Sequence, residues 1–428
     1  MVSQTQADSA AATQRLSEQE RALQRSNRSG LSKRKTISAF VISLLAFGAI
    51  NTITAQSEYG KPNPKLTPYR GWSWWTTHDI RNSTAPSNVV LLGSSLMVAA
   101  IAECDANYVQ HSLDLSTYRG ATYLDSVLQQ RFNSSFSTLN LSAPGQMPSD
   151  AYLTLKAAID EGVKPQILIY GVAPRDFLDG TMQSPSDTEA FKYLSRSVDI
   201  NNYGLDFFST PFGKLEWLLR QNLNLYKVSI DCRIRFERFA RHLFTHNGLC
   251  DLPDHEGAAG PFAAKLRALY RPFNIEPGTF LALQTIHDNS PLIDNTRDYR
   301  DRYRNPDHGL YQTQFRFLDR IAKLCADNKI KLVVIEMPIT KRNVEILKPH
   351  VYQQYKTDLA ASCRDNGVPL LNLCQFDKYS PVDYRDTVHL NGFGGKKFVD
   401  NLVPALATVD SDLPILNQPR PLTADTEK

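Results

Sequence analysis

Two serines and an aspartate–histidine pair carry the strongest chemical signal in this chain. Ser94 and Ser95 stand in Gly93-Ser94-Ser95-Leu96, directly after the apolar run Val89-Val90-Leu91-Leu92. Asp386 and His389 stand near the C-terminus, in Asp386-Thr387-Val388-His389. A serine hydroxyl is a weak nucleophile and needs an adjacent base. His389 can take its proton, and Asp386 can hold the imidazole tautomer and stabilise the imidazolium. A serine at a helix N-terminus also has backbone N–H groups beside it for a developing oxyanion. Gly145, in Ser142-Ala143-Pro144-Gly145, can bring in a further N–H because no side chain obstructs the approach. Each motif alone is weak. Gly-Ser-Ser after a strand is most often a helix cap, and Asp-x-x-His before a helix is usually turn chemistry. Their order along the chain is what joins them.

Two other groups compete. Arg175, in Pro174-Arg175-Asp176, either points inward, where a guanidinium can hold an oxyanion, carboxylate or phosphate, or pairs at the surface with Asp176 or Asp179. His242 and His246, with Cys250 and His255 behind them, have a zinc-like spacing. The basic run from Arg233 to His242 disfavours a cation there, so no metal and no cofactor are expected. Phe207, Phe208, Phe212, Trp217 and Tyr226 read as core more than as a sugar-stacking platform.

The elements that must position these residues are legible as apolar runs. Strands are expected over 88–92, 138–141, 166–170, 331–336 and 370–373, and helices over 96–103, 149–161, 312–328, 351–366 and 394–407. Uninterrupted apolar strands alternating with amphipathic helices indicate a doubly wound α/β domain, a five-stranded parallel sheet covered on both faces. In such sheets ligands bind beyond the carboxyl ends of the strands. Ser95, Gly145, Arg175, Asp386 and His389 all follow expected strand ends. Roughly 177–311 interrupts the pattern as a mostly helical insertion, of the kind that forms a lid or substrate subdomain.

The chain has 428 residues, 42% of them hydrophobic and 21% charged, as expected of a packed globular protein. The net charge of +4 is thinly spread, which argues against a nucleic-acid partner. Residues 1–35 are polar and expected to be disordered. Residues 36–53 carry no charge and cover about 27 Å as a helix, near the lower limit for a bilayer. Arg28, Lys33, Arg34 and Lys35 precede them, so a membrane anchor at 36–54 puts the N-terminus in the cytoplasm and the main domain outside. A cleaved signal peptide is the rival reading, disfavoured by the long polar region before it. Residues 55–87 read as an extended linker, 88–410 as the main domain and 411–428 as a flexible tail. Of six cysteines, Cys232 and Cys250 are candidates to pair, and Cys325 and Cys363 fall at equivalent places on two helices; buried free thiols are the alternative.

The lipase elbow Gly-x-Ser-x-Gly is absent, since Leu96 and Met97 follow Ser95. The pattern instead resembles the SGNH (GDSL-like) hydrolase superfamily over roughly 88–406, excluding the insertion. Gly93-Ser94-Ser95-Leu96 is similar to its first block, with Ser94 in place of the aspartate. Asn140 to Gly145 resembles its glycine block, and Asp386-x-x-His389 its last. The resemblance implies a flavodoxin-like sheet, Ser95 as nucleophile and Gly145 as oxyanion glycine. The family's oxyanion asparagine is absent, with Pro174-Arg175-Asp176 in its place. The layout also resembles membrane-anchored proteins that transfer acyl groups on cell-envelope polymers, of the D-alanyl-transfer and polysaccharide O-acetylation types. That implies an acylated carbohydrate or acyl donor protein, and a membrane O-acyltransferase, as partners. The alternative is a non-catalytic envelope scaffold on the same fold.

Overall fold

In the computed structural model of the chain, residues 38–57, 63, 66, 70–82, 86–246, 275–286 and 292–409 are described. Five strands form one parallel sheet: β1 (Val89–Gly93), β2 (Thr138–Asn140), β3 (Ile167–Val172), β4 (Lys331–Glu336) and β5 (Leu370–Asn372), in the order β2-β1-β3-β4-β5. Val89 pairs with Thr138 on one side and Ile167 on the other, Ile167 with Lys331, and Val334 with Leu370. This is the flavodoxin-like order, whose switch in winding direction beside β1 opens a crevice at the strands' carboxyl ends.

Alternation along the strands builds two cores, because successive side chains point to opposite faces. Val90, Leu92, Leu168, Tyr170 and Val334 pack on one face under α4 (Pro148–Asp160), α7 (His308–Asp327) and α8 (Pro349–Asp365). Val89, Leu91, Ile169, Val333 and Ile335 pack on the other under α2 (Ser95–Val109), α3 (Thr122–Phe132) and α9 (Gly392–Thr408). Charged and amide side chains stand only at strand ends, as at Asn140, Lys331, Glu336 and Asn372, because both faces of the sheet are covered.

Several boundaries differ from the sequence reading. The first sheet helix begins at Ser95 and runs to Val109, well beyond Glu103, because Ala99 to Ala106 is buried along its whole length. Residues 72–82 are not extended. They form α1 (Trp72–Asn82), with Trp75 and Ile80 buried and Trp75 Nε1 donating to the Ile275 carbonyl at 2.8 Å. Its aromatic residues follow helical spacing, which the flanking prolines obscured. Helix α3 and the short antiparallel pairing of Leu113–Asp114 with Leu281–Ala282 carry no strong periodicity and went unread.

Between β3 and β4 the chain forms α5 (Pro174–Leu178), helices Glu189–Leu194, Pro211–Asn222 and Asn224–His246, and α6 (Thr296–Tyr303). Phe207 and Trp217 are buried there, whereas Phe212 and Tyr226 are exposed rather than core. The side chains of His242 and His246, together with Cys250 and His255, lie outside the described residues, and so does the Cys232–Cys250 pairing. Cys325 and Cys363 are buried free thiols on α7 and α8.

The chain divides into two compact units, Met1–Pro62 with Leu218–Arg233 and Asn63–Trp217 with Ile234–Lys428. In the first, Asn51 Oδ1 accepts a hydrogen bond from Leu225 N at 3.0 Å. Among the described residues one helix, Ser38–Gln56, is long and apolar enough to cross a membrane.

Candidate active site

Ser95 occupies the first turn of α2, immediately beyond β1. The turn is sharp because Gly93 sits at φ +155°, and a Cβ there would lie 2.8 Å from Met97 Cβ and 2.9 Å from the Gly171 carbonyl oxygen. Gly93 N–H donates to Gln146 Oε1 at 3.0 Å. Ser94 is the N-cap residue, extended at φ −78° and ψ −166°, and its carbonyl accepts from Met97 N and Val98 N. Its hydroxyl does not cap the helix. It turns inward, 3.4 Å from Asp176 Oδ2. Ser95, one residue on, is aimed elsewhere: its Oγ lies 2.8 Å from His389 Nε2.

His389 Nδ1 lies 2.7 Å from Asp386 Oδ2. Asp386 Oδ1 accepts from Val388 N at 2.9 Å and His389 N at 2.8 Å. Burial pushes the Asp386 carboxyl up, but the His389 ring and these two N–H groups outweigh it and hold the group below the usual carboxylate range. An ionised carboxylate only accepts, so Nδ1 carries the ring proton and Nε2 accepts from the Ser95 hydroxyl.

The loop carrying both residues is pinned from three directions. Arg385 N donates to the His389 carbonyl at 2.9 Å, and Ile293 N to the Arg385 carbonyl at 3.0 Å. Asn295 Oδ1 accepts from both Thr387 N and Thr387 Oγ1. Thr340 Oγ1 donates to the Thr387 carbonyl at 2.6 Å. Behind the loop, Arg385 pairs with the buried Glu103. Burial, helped by the Asp386 charge and opposed by Arg385, raises the Glu103 carboxyl to about 7.

Gly145 lies at φ +80°, a conformation that favours glycine, and its N–H has no hydrogen-bond acceptor among the described residues. A Cβ on Gly145 would stand 3.6 Å from Arg175 Nη2, so the guanidinium lies beside Gly145. Arg175 is not in a surface pair. Its side chain is 15% exposed and bonds Asp179 at 3.0 Å and Asp176 at 3.6 Å. Burial raises the Asp176 carboxyl to about 6, against the pull of Arg175 and the Ala173 N–H. Ser94, Ser95, Arg175, Asp176, Tyr303 and Asn343 line one small cavity. The arrangement brings together all five residues singled out in the sequence.

Sequence reasoning missed Gln146, Asn295 and Asn343. Gln146 adjoins the glycine block, and only its reach to Gly93 N reveals its part. Asn295 lies in the aperiodic end of the insertion. Asn343 is fully buried with no partner for Nδ2, while its Oδ1 accepts from Tyr303 OH at 3.3 Å. No pattern in the chain marked either asparagine. No group of metal-binding side chains occurs among the described residues.

No protein-family model and no curated protein matches this chain. Among solved structures, a GDSL-like lipase from Bacteroides thetaiotaomicron is similar at 10% identity, over 80% of this chain and 98% of its own, with a TM-score of 0.33. An alpha/beta hydrolase from the metagenome of Lake Arreo is similar at 11% identity, over 76% of this chain and 96% of its own, with a TM-score of 0.32. Likeness at this level does not extend to activity.

Proposed function

We propose that the protein is a serine esterase or O-acyltransferase acting through Ser95, His389 and Asp386. The observation that carries this reading is the pair of contacts at 2.8 and 2.7 Å that runs from Ser95 Oγ through the His389 ring to Asp386. His389 Nε2 takes the hydroxyl proton as Oγ attacks the ester carbonyl. The Gly145 N–H, the first N–H groups of α2 and the Arg175 guanidinium are the donors this reading assigns to the oxyanion. Collapse breaks the bond to the alcohol, which leaves with the proton from His389, and Ser95 holds the acyl group. Water or a second hydroxyl then attacks, its proton passing to His389, and frees Ser95. The acceptor decides between hydrolysis and transfer.

The resemblance to SGNH hydrolases and to envelope acyl-transfer proteins supports an acylated cell-envelope glycan as substrate, with an acyl donor protein or membrane O-acyltransferase as partner. The helix Ser38–Gln56 and the basic residues before it support a membrane anchor with the main domain outside the cytoplasm. A binding-only scaffold draws its support from Arg175, whose ion pairs replace the family's asparagine. The test is release of p-nitrophenol from p-nitrophenyl acetate by the full-length chain. Ser95→Ala is expected to lower kcat by at least ~10³-fold and Asp386→Asn by a comparable factor. Turnover equal in all three proteins would remove the triad and leave the scaffold.

A further inference from the structure

A second cavity, of about 510 Å³, lies away from Ser95, between the C-terminal end of α2, residues 284–286 and the start of α9. Its volume is that of an ordinary small-molecule site. Two hydrogen bonds fix its walls: Thr285 N donates to Asn107 Oδ1 at 2.7 Å, and Gly392 N to Thr285 Oγ1 at 2.9 Å. Asn107 stands about 18 Å along α2 from Ser95, too far for a group bound there to react.

We propose that this cavity binds a neutral carbohydrate ring, a stretch of substrate remote from the reacting ester. The assignment as a substrate subsite rests on the esterase or acyltransferase reading; the binding itself does not. The lining chemistry carries it. Tyr108, 49% exposed, and Tyr123 lie at the cavity with ring centroids 5.3 Å apart, tilted at 60°. Tyr108 offers apolar surface against which the C–H face of a sugar can pack. Around the two rings the polar groups are mostly neutral amides and hydroxyls. Asn107 Nδ2, the Gln284 amide and the Tyr108 hydroxyl have no partner among the described residues, a set of donors and acceptors matched to vicinal hydroxyls. Among the described lining residues the one lysine, Lys396, is tied to Asp400 at 2.7 Å and lies over the Tyr123 ring. That leaves little to hold a phosphate or carboxylate. Binding energy from such a remote contact can position the ester at Ser95.

The test uses the full-length Ser95→Ala chain, so that no turnover is needed, in a detergent without a sugar headgroup. Cellohexaose, mannohexaose and chitohexaose are titrated calorimetrically, one at a time. At least one is expected to bind, with an affinity little changed by salt because no charge is involved. Tyr108→Ala with Gln284→Ala is expected to weaken that binding about ten-fold or more. If the double variant melts early, Gln284→Ala alone is expected to weaken it about three-fold. Binding of none of the three, equal binding by the folded variants, or binding that high salt abolishes overturns the proposal. Failure of Ser95-dependent p-nitrophenyl acetate hydrolysis overturns the catalytic reading instead and leaves the binding result standing.

Discussion

Ser94 and Ser95 are adjacent, chemically identical and separated in role by one step of helical geometry. Ser94 gives its carbonyl to the start of α2 and its hydroxyl to the buried Asp176, whereas Ser95 faces His389. Arg175 is the residue whose part is least fixed by its type. It pairs with Asp176 and Asp179 and at the same time lies beside Gly145. If the guanidinium meets the oxyanion, Arg175→Ala lowers kcat on p-nitrophenyl acetate by about 10²-fold, with KM little changed. Equal kcat in a folded variant would reduce Arg175 to an ion-pair partner. The five candidate residues were singled out from type and order alone, and the fold brings them to one end of the sheet. What Arg175 touches was not, because inward and outward pairing leave the same Pro-Arg-Asp in the sequence.

At the scale of elements, the site depends on two tight passages. The first is the β1–α2 turn at Gly93, where a Cβ would meet both Met97 and the Gly171 carbonyl. Gly93→Ala is expected to cost about 2 kcal/mol or more, read as a lower denaturation midpoint. The second is the Asp-x-x-His loop, held from outside by Asn295. Asn295→Ala removes the acceptor of two Thr387 hydrogen bonds and is expected to cost about 1–3 kcal/mol in stability. Its kcat should fall more than its KM rises, because the loop carries His389 and not the substrate; a pure KM effect would contradict this. Strands β1, β3 and β4 were readable because burial on both faces makes them uninterrupted apolar runs. The hold of Asn295 on the loop spans 92 residues and leaves no local trace.

For the whole molecule, helices packed around the sheet bury carboxyls whose pKa is raised toward neutrality. Burial, the largest influence on each, raises Glu103 and Asp150 to about 7 and Asp176 to about 6. Their unfolded values lie near 4.5 for Glu103 and 3.8 for the two aspartates. Between about pH 4 and 7 the folded chain therefore holds more protons than the unfolded one, and stability rises as pH falls. Asp386 works in the opposite sense, but its depressed value puts the loss below this window. The melting temperature should be higher at about pH 5.5 than at about pH 7.5, and the reverse order would contradict the burial of these groups. The doubly wound plan was legible in the alternation of apolar runs and helices. The segment between β3 and β4 was legible only as a mostly helical insertion; its aromatic residues read as core, whereas Phe212 and Tyr226 face solvent.

The central claim is that Ser95, and not Ser94, is the activated nucleophile. A fluorophosphonate probe reacts only with a serine whose hydroxyl is activated by a base. The full-length chain should be labelled once, Ser94→Ala should keep the label, and Ser95→Ala and His389→Ala should lose it. A label that survives Ser95→Ala contradicts the account.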